Sequence, residues 1–588
     1  MFFRNFSAAA LVSAVASGLW YYQKGNPVES SALVNSTSSA IPSAGFSVPE
    51  PTISVSPSGP TPTTSTPGPA TASIEPNQKA GKPFSIDDEN FYLAELAEEK
   101  SLSKEGEDDG NAQMEKLSPE RATQKLRRLE QSYSIGRGRG VVRYDLVQIP
   151  SNNPIEDDHA EKIVEIPQSV TPARDGSASS DWMFWGVFDG HSGWTTSAKL
   201  RQVLIAYVTR ELNTAYKSAT TDPSLNLPNP QSIDEAIKRG FVRLDNDIVN
   251  TSVQKAFSNK TKLASTELLA PALSGACALL SFYDSSSNLF RVACTGDSRA
   301  VLGRKGPSGK WTATALSEDQ TGATPSEVAR LRAEHPGEKD VTLNGRILGG
   351  LEPSRAFGDA SYKWTREVQD KVRKHFLGRS PAARLKSPPY VTAEPVITTT
   401  KIEPENGDFV VLATDGLWEM LTNEEVVGLV GRWLEKQDVS SGSGPLTWAK
   451  TFTGRNDGTL PVERTRQKGG DGGEGQRAPI RQEQWDVSEK DERFVVEDKN
   501  VATHLVRNAL GGRNRDLVCS LLSLVSPYSR RYRYVLISEQ PRSNQKANAT
   551  DRDDLTVEVI FFGKGDKTGD VTMNHEACNP GLGAKPKL

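Results

Sequence analysis

Three aspartates of this chain stand beside apolar runs, at points where a strand would give way to a turn. One run ends directly before Asp189-Gly190-His191, another ends one residue before Asp415, and a third begins two residues after Asp553. A single Asp-Gly pair is typical of an ordinary turn. Because the same arrangement occurs three times, we expect these carboxylates to share a chemical purpose.

Two more acidic motifs, at residues 156–158 and 296–299, add carboxylates to this constellation. Carboxylates gathered at strand ends can hold Mg²⁺ or Mn²⁺, which prefer oxygen ligands, and such a cation offsets the repulsion among the acids. His191 is the histidine of the constellation, and one imidazole among so many carboxylates does not favour zinc. The residues by themselves therefore predict a site for hard divalent cations.

Seven motifs, taken in chain order, resemble the motif series of the metal-dependent type 2C serine/threonine protein phosphatases. They lie at residues 154–157, 188–193, 274–276, 295–300, 354–359, 414–419 and 552–557. The resemblance covers about residues 136–563. Within the family the chain is most similar to the mitochondrial pyruvate dehydrogenase phosphatases, through Pro154-Ile155-Glu156-Asp157, the segments 334–336, 388–395 and 502–509, and an insertion before the last of these.

The resemblance implies a fold and a role for each matched residue. The fold would be α+β, an αββα sandwich of two antiparallel β-sheets flanked by helices. His191 would be the general acid that protonates the leaving group. The implied metal ligands are Asp189, Asp415, Asp553 and the carbonyl of Gly190 for two ions, Glu156 and Asp157 partly through water, and Asp297, Asp415 and Glu419 for a third, more weakly held ion.

Two positions depart from the common family pattern. Most members have an arginine four residues before the first glutamate, where a planar guanidinium would grip phosphate. This chain has Asn152 at that position, and the pyruvate dehydrogenase phosphatases also lack the arginine. We assign Asn152 to substrate contact, which leaves the phosphate-binding cation unassigned. Glu419 replaces the commoner aspartate and lengthens that ligand by one methylene.

The sequence therefore favours a Mg²⁺- or Mn²⁺-dependent phosphatase that hydrolyses phosphoserine and phosphothreonine. The resemblance implies the alpha subunit of pyruvate dehydrogenase as substrate. Two alternatives stay open: a phosphatase acting on other mitochondrial phosphoproteins, and a catalytically silent scaffold of the same fold. Every predicted ligand position is filled, which favours an enzyme over the scaffold.

The elements that must position these residues follow from hydrophobic periodicity and turn signals. Apolar runs predict strands and amphipathic stretches with capping residues predict helices, in an order that fits antiparallel sheets with helices outside. The predicted strands are 182–188, 278–282, 289–294, 409–413 and 556–562. The predicted helices are 118–133, 232–250, 325–335, 423–436 and 501–510.

Composition divides the chain into a catalytic domain and several flanking segments. The catalytic domain is predicted at 136–563, with a Gly- and charge-rich low-complexity insertion at 438–492. A helical extension is predicted at 83–135, a disordered Ser/Thr/Pro-rich linker at 27–82 and a tail at 564–588. The 70 basic and 74 acidic residues nearly cancel, so nothing indicates a nucleic-acid partner.

The N-terminal segment 1–26 is interpreted as a mitochondrial targeting segment. Its surroundings up to residue 28 contain Arg4 and Lys24 but no acid, beside a short apolar run. Three interpretations compete: a secretory signal, a mitochondrial presequence and a membrane anchor. A presequence carrying a stop-transfer stretch would satisfy the last two, and leaves matrix and intermembrane space both open.

Overall fold

A computed structural model of the chain describes residues 84–85, 116–167, 179–221, 228–259, 261–376, 378–440, 459–463, 491–523, 553–565 and 567–579. The predicted targeting segment 1–26 and linker 27–82, together with most of the predicted insertion, lie outside these residues.

The described strands are β1 Phe84–Ser85, β2 Gln131–Arg137, β3 Val141–Ile149, β4 Asp158–Pro167, β5 Ser179–His191, β6 Gly275–Asp284, β7 Leu289–Thr295, β8 Arg299–Lys305, β9 Trp311–Ala315, β10 Thr342–Leu343, β11 Arg346–Ile347, β12 Phe357–Gly358, β13 Val396–Lys401, β14 Phe409–Ala413, β15 Leu555–Phe562 and β16 Lys567–Met573.

The described α-helices are α1 Pro119–Arg127, α2 Thr195–Thr221, α3 Pro230–Asn246, α4 Ser252–Ser258, α5 Lys262–Leu273, α6 Pro325–Glu334, α7 Ala360–Lys363, α8 Arg366–Phe376, α9 Asp415–Trp418, α10 Asn423–Ser440, α11 Val501–Ala509 and α12 Arg515–Ser523. A π-helical segment, Asp247–Thr251, joins α3 to α4, and short 3₁₀ segments lie at Pro404–Asn406, Asp491–Arg493 and His575–Ala577.

Two seven-stranded sheets face each other. The β5 sheet has the order β1-β4-β5-β6-β7-β13, with β12 paired to β6, and the β15 sheet has the order β16-β2-β3-β15-β14-β8-β9. Among the described residues β1 joins β4 in parallel and the remaining named strands pair antiparallel. Helices α2, α3, α5 and α8 cover the outer face of the β5 sheet, and α1, α10, α11 and α12 that of the β15 sheet. The predicted αββα sandwich is confirmed.

Strand β14 illustrates why the inner strands read as continuous apolar runs. Its five residues are all buried because both faces are covered. Val410 and Leu412 point between the sheets, while Phe409, Val411 and Ala413 pack under the helices. The prediction of 409–413 matches this strand residue for residue.

The predicted helix 118–133 ends earlier than expected. It begins as predicted, with the Ser118 hydroxyl accepting from the Arg121 amide and a proline in the first turn, but its last residue is Arg127. Strand β2 follows, and Tyr133 is buried there in a stacked contact with Tyr144, ring centroids 5.0 Å apart. Pairing between β2 and β3 overrides the local helical pattern.

The catalytic domain is wider than the predicted limits of 136 and 563. Strand β2 begins at Gln131, and β16 pairs with it at the edge of the β15 sheet, so part of the predicted extension 83–135 and of the predicted tail 564–588 belongs to the sandwich. The sequence did not predict β16 as a strand of the sheet, because Val571 is its one buried residue and no alternating apolar pattern results. Edge strands lack the alternation that marks half-buried ones.

Part of the predicted insertion 438–492, residues 459–463, pairs with strand β9. The Trp311 amide of β9 donates to the Pro461 carbonyl at 2.9 Å, and the Glu463 amide returns a bond to Trp311 at 2.8 Å. Leu460 and Val462 are buried in the helix-covered core of the β15 sheet. Within the predicted low-complexity insertion, the segment 459–463 thus packs on the β15 sheet, and averaging the composition over the whole insertion conceals its two buried apolar residues.

Among the described residues, no helix combines the length and apolar character needed to cross a bilayer.

Candidate active site

The acidic residues of the β15 sheet meet at one edge because antiparallel pairing sets the end of one strand beside the start of another. Ala413, the last residue of β14, pairs with Val557 near the start of β15 and with the first residue of β8. Asp415, Asp553 and Asp297 lie just beyond these strand ends. They therefore share one edge of the sandwich.

The β5 sheet brings its acids to the same edge. Phe188 of β5 pairs with Asp158 at the start of β4, so Asp189 at the end of β5 lies next to the loop that contains Asp157. Three carboxylates come close together here, with one oxygen of each within 4.8 Å of the others: those of Asp189, Asp297 and Asp415. The central part of the predicted constellation is thus assembled from both sheets.

Electrostatics at this edge favour a bound cation. Burial, followed by the negative charges of Asp157 and Asp553, raises the pKa of Asp189 well above its usual range. The pKa of Asp415 is also raised well above its usual range, by burial and by the negative charges of Asp189 and Glu419. An all-oxygen donor set whose members repel one another suits Mg²⁺ or Mn²⁺, which would neutralise the acids.

Asp157 forms the floor of the site. It is buried, and its Oδ2 accepts hydrogen bonds from Thr414 Oγ1 at 3.0 Å and from Thr556 Oγ1 at 2.7 Å. Burial, then the charges of Asp554 and Asp553, raise the pKa of Asp157 well above its usual range. The two threonines fix this carboxylate against both β14 and β15.

Gly190 allows the loop before β4 to approach β5. A Cβ on Gly190 would lie 2.1 Å from the carbonyl oxygen of Glu156, a distance that no side chain tolerates. The Ser197 hydroxyl of α2 donates to that same carbonyl. The glycine and the serine together hold Glu156 and Asp157 beside Asp189.

Asp554 organises this loop from the opposite sheet, a role that the sequence did not reveal. Its carboxylate accepts bonds from the amide nitrogens of Ser151, Asn152 at 2.9 Å and Glu156 at 2.7 Å, and from Asn152 Nδ2 at 3.1 Å. The side-chain amide of Asn152 is thus directed at Asp554, and its assignment to substrate contact stays a prediction. The Asp553-Asp554 pair was visible in the sequence, but the sequence did not show that Asp554 anchors this loop while Asp553 remains the metal-ligand candidate.

His191 is held by a second residue that sequence analysis did not single out. Its Nε2 lies 2.6 Å from Oδ2 of Asp359, the last residue of the motif 354–359. Burial alone would lower the pKa of His191, but the charge and hydrogen bond of Asp359, together with the charges of Asp297 and Glu156, raise it. This favours the protonated ring that a general acid requires.

The predicted third-ion residues surround Asp415. Asp297 accepts a bond from Cys277 Sγ at 3.2 Å, following Gly296 in a positive-φ turn. Glu419 is buried one turn after Asp415, and its amide donates to the Asp415 carbonyl at 2.9 Å. Asp297 belongs to the triad of close carboxylates. Glu419 and Asp553 lie outside this triad, and their negative charges raise the pKa of Asp415.

Comparisons with known proteins agree with this geometry. The family model described as protein phosphatase 2C matches residues 152–448. The chain is 43% identical to the mitochondrial pyruvate dehydrogenase (acetyl-transferring) phosphatase 1 of Saccharomyces cerevisiae, over 80% of this chain and 77% of the relative. It is 39% identical to a protein phosphatase 2C homologue of Schizosaccharomyces pombe, over 75% of this chain and 84% of the relative.

A more distant relative has the same description as the first. The human mitochondrial pyruvate dehydrogenase (acetyl-transferring) phosphatase 1 is 28% identical, over 76% of this chain and 83% of its own. The family match spans half of the chain, and the fungal similarity spans most of it. This protein belongs to the protein phosphatase 2C family and is a metal-dependent serine/threonine protein phosphatase.

Proposed function

We propose that this enzyme is a mitochondrial pyruvate dehydrogenase phosphatase, which removes phosphate from serine residues of that enzyme's alpha subunit. The observation that carries the proposal is the similarity to relatives of this description in yeast and human, across 77% and 83% of their lengths. So extended a similarity reaches well beyond the active-site motifs.

Two divalent ions, Mg²⁺ or Mn²⁺, are proposed to be held by Asp189, Asp415, Asp553 and the Gly190 carbonyl, with Glu156 and Asp157 assisting. Asp297, Asp415 and Glu419 would hold a third ion more weakly. The close triad of Asp189, Asp297 and Asp415 supports this assignment. Bound there, such ions supply Lewis acidity that lowers the pKa of water and offsets charge on the phosphoryl group.

The remaining chemistry falls to the protein's own groups. Asp359 occupies Nε2 of His191, which leaves Nδ1 as the ring atom that holds the proton for the departing serine oxygen. Asp554 keeps the 151–156 loop in place, and the two threonines keep Asp157 in place. The acids therefore need little rearrangement during turnover.

The proposed location is the mitochondrion. Relatives in yeast and human are described as mitochondrial, and residues 1–26 combine basic residues with an apolar run and no acid. We propose that this segment directs import and that 27–82 serves as a spacer ahead of the catalytic domain.

The test compares substrates under one set of conditions. The full chain, loaded with Mn²⁺, is given phosphorylated pyruvate dehydrogenase complex and, separately, a panel of other mitochondrial phosphoproteins, with Asp189→Asn as the inactive control. We expect phosphate release from the alpha subunit to be the fastest. Equal or faster release from the other phosphoproteins would remove the substrate assignment while leaving the phosphatase chemistry intact.

A further inference from the structure

A polar cluster lies between the two sheets, one layer beneath the catalytic acids. Successive strand residues point to opposite faces, so residues two apart share a face. Ile163 of β4 and Ile560 of β15 belong to the core between the sheets. His159 and Glu161 share the face of Ile163, and Glu558 shares that of Ile560. These three polar residues therefore point into the apolar space between the sheets.

The three side chains converge. One ligand atom from each lies within 4.8 Å of those of the other two. His159 Nδ1 is 2.5 Å from Glu161 Oε1. Glu558 is completely buried, and no amide, hydroxyl or imidazole donor among the described residues reaches either of its carboxylate oxygens. Glu558 thus faces a histidine and a second acid, and apart from a hydrogen bond shared with Glu161 its carboxyl group has no partner among the described residues.

The surroundings disfavour the ionised form of this group. Burial and the negative charge of Glu161 raise the pKa of Glu558 well above its usual range. Burial would also raise the pKa of Glu161, but the charge of His159 and hydrogen bonds with His159 and Glu558 together lower it. Two buried carboxyl groups this close together cannot both ionise without a compensating cation. A buried carboxylate without a partner is costly.

We propose that His159, Glu161 and Glu558 form a structural site for one divalent transition-metal ion, Zn²⁺ in particular, that ties the β5 sheet to the β15 sheet. An imidazole with two carboxylates is a donor set that Zn²⁺ accepts, whereas Mg²⁺ and Ca²⁺ favour oxygen alone. The ion would compensate both acids at once. His159 directly follows Asp158, so His191 is not the only histidine near the acidic motifs.

This site differs from the catalytic one in its donors and its place. The catalytic acids lie at the open edge of the sandwich, and the close triad there contains no nitrogen ligand. The proposed ligands lie within β4 and β15, between the sheets. The inference does not depend on the proposed substrate.

The experiment measures metal content in variants that separate the two sites. Full-length protein is equilibrated with Zn²⁺, dialysed against metal-free buffer and analysed by elemental mass spectrometry. We expect wild type and Asp189→Asn to retain about one equivalent of Zn²⁺, and Glu558→Gln to bind it at least about tenfold more weakly. Near-UV circular dichroism checks that the glutamine variant is folded.

A spectroscopic measurement identifies the donors without using activity. Co²⁺ introduced into Asp189→Asn should give visible absorption bands typical of nitrogen and oxygen ligands, and His159→Gln in the same background should abolish them. If Glu558→Gln fails to fold, this second variant decides. Retention of Zn²⁺ by Glu558→Gln equal to wild type, or no retained ion in wild type, would overturn the site and leave a shared proton as the neutralising group.

Discussion

His191 and Asp359 form a partly buried pair, with Nε2 of the imidazole 2.6 Å from Oδ2 of the carboxylate. They are 168 positions apart in the chain. Asp359 adopts a left-handed backbone conformation, with φ of 45°, and its amide donates to the Ser274 carbonyl at 2.8 Å. The backbone thus presents the carboxylate to the ring.

Asp359→Asn should impair catalysis through His191. Loss of the carboxylate lowers the pKa of His191, so the protonated ring is lost at a lower pH and the alkaline limb of the kcat profile moves to lower pH. We expect kcat on a phosphoserine peptide to fall by about tenfold or more, with a smaller loss on an aryl phosphate, whose leaving group needs less protonation. The pH profiles of both substrates check this, with His191→Ala as the reference. Unchanged profiles would mean that Asp359 only supports the fold.

Gly275→Ala should disrupt the same pair from the opposite side. A Cβ at this position would lie 2.1 Å from His191 Nε2 and 2.3 Å from Asp359 Oδ2. The double variant Gly275→Ala, Asp359→Asn should therefore lose little more activity than either single variant, because both changes break one interaction. Kinetics of the three variants on a phosphoserine peptide measure the coupling, and additive losses would count against a shared target.

Metal dependence should appear in stability as well as in activity. The folded pKa of Asp415 is raised above its ordinary 3.8, so in EDTA its contribution to the free energy of unfolding is present at low pH and is lost as the pH rises through the raised folded value. We expect the Tm of metal-free protein to fall as the pH rises above the ordinary aspartate pKa of 3.8, and Mn²⁺ to flatten this dependence. Asp415→Asn should reduce the pH dependence in EDTA.

Activity measurements provide the companion to that experiment. EDTA should abolish turnover of wild type, and Asp189→Asn and Asp415→Asn should each retain less than about a tenth of the wild-type rate, a loss above ~1.4 kcal/mol. Residual turnover above that level in either variant, or undiminished turnover in chelator, would contradict the ligand assignment.

The neighbouring acids Asp553 and Asp554 should respond differently to substitution. Asp554→Ala leaves the amides of Asn152 and Glu156 without their acceptor, and we expect the free energy of unfolding to fall by about 2–4 kcal/mol. Asp553→Asn should instead abolish activity with little loss of stability. Urea denaturation and phosphatase assays of both variants decide, and similar stabilities would show that Asp554 does not anchor the loop.

The insertion should tolerate deletion only in part. Removal of residues 464–490 should leave aryl phosphate hydrolysis nearly intact, because these residues contain none of the proposed metal ligands. Leu460→Ala should destabilise the protein by about 2 kcal/mol or more, since Leu460 is buried beside Trp311 and α10. Thermal unfolding of both variants tests this, and equal stability of Leu460→Ala and wild type would mean that 459–463 contributes nothing to the core.

Local patterns in the sequence determined much of the architecture and the outline of the site. Strand 409–413 and helix 325–334 are recognisable because periodicity and capping act within a few residues. Asp189, Asp415 and Asp553 stood out because each lies beside an apolar run. These features reflect interactions between near neighbours in the chain.

Tertiary structure alone decided which distant groups meet. Strand register sets Asp359 against His191, distinguishes Asp554 from Asp553 and brings Glu558 of one sheet to His159 and Glu161 of the other. Strand β16 and the segment 459–463 likewise become elements only through their partners β2 and β9. No local pattern encodes such contacts, because their free energy depends on residues brought together only when both sheets have formed.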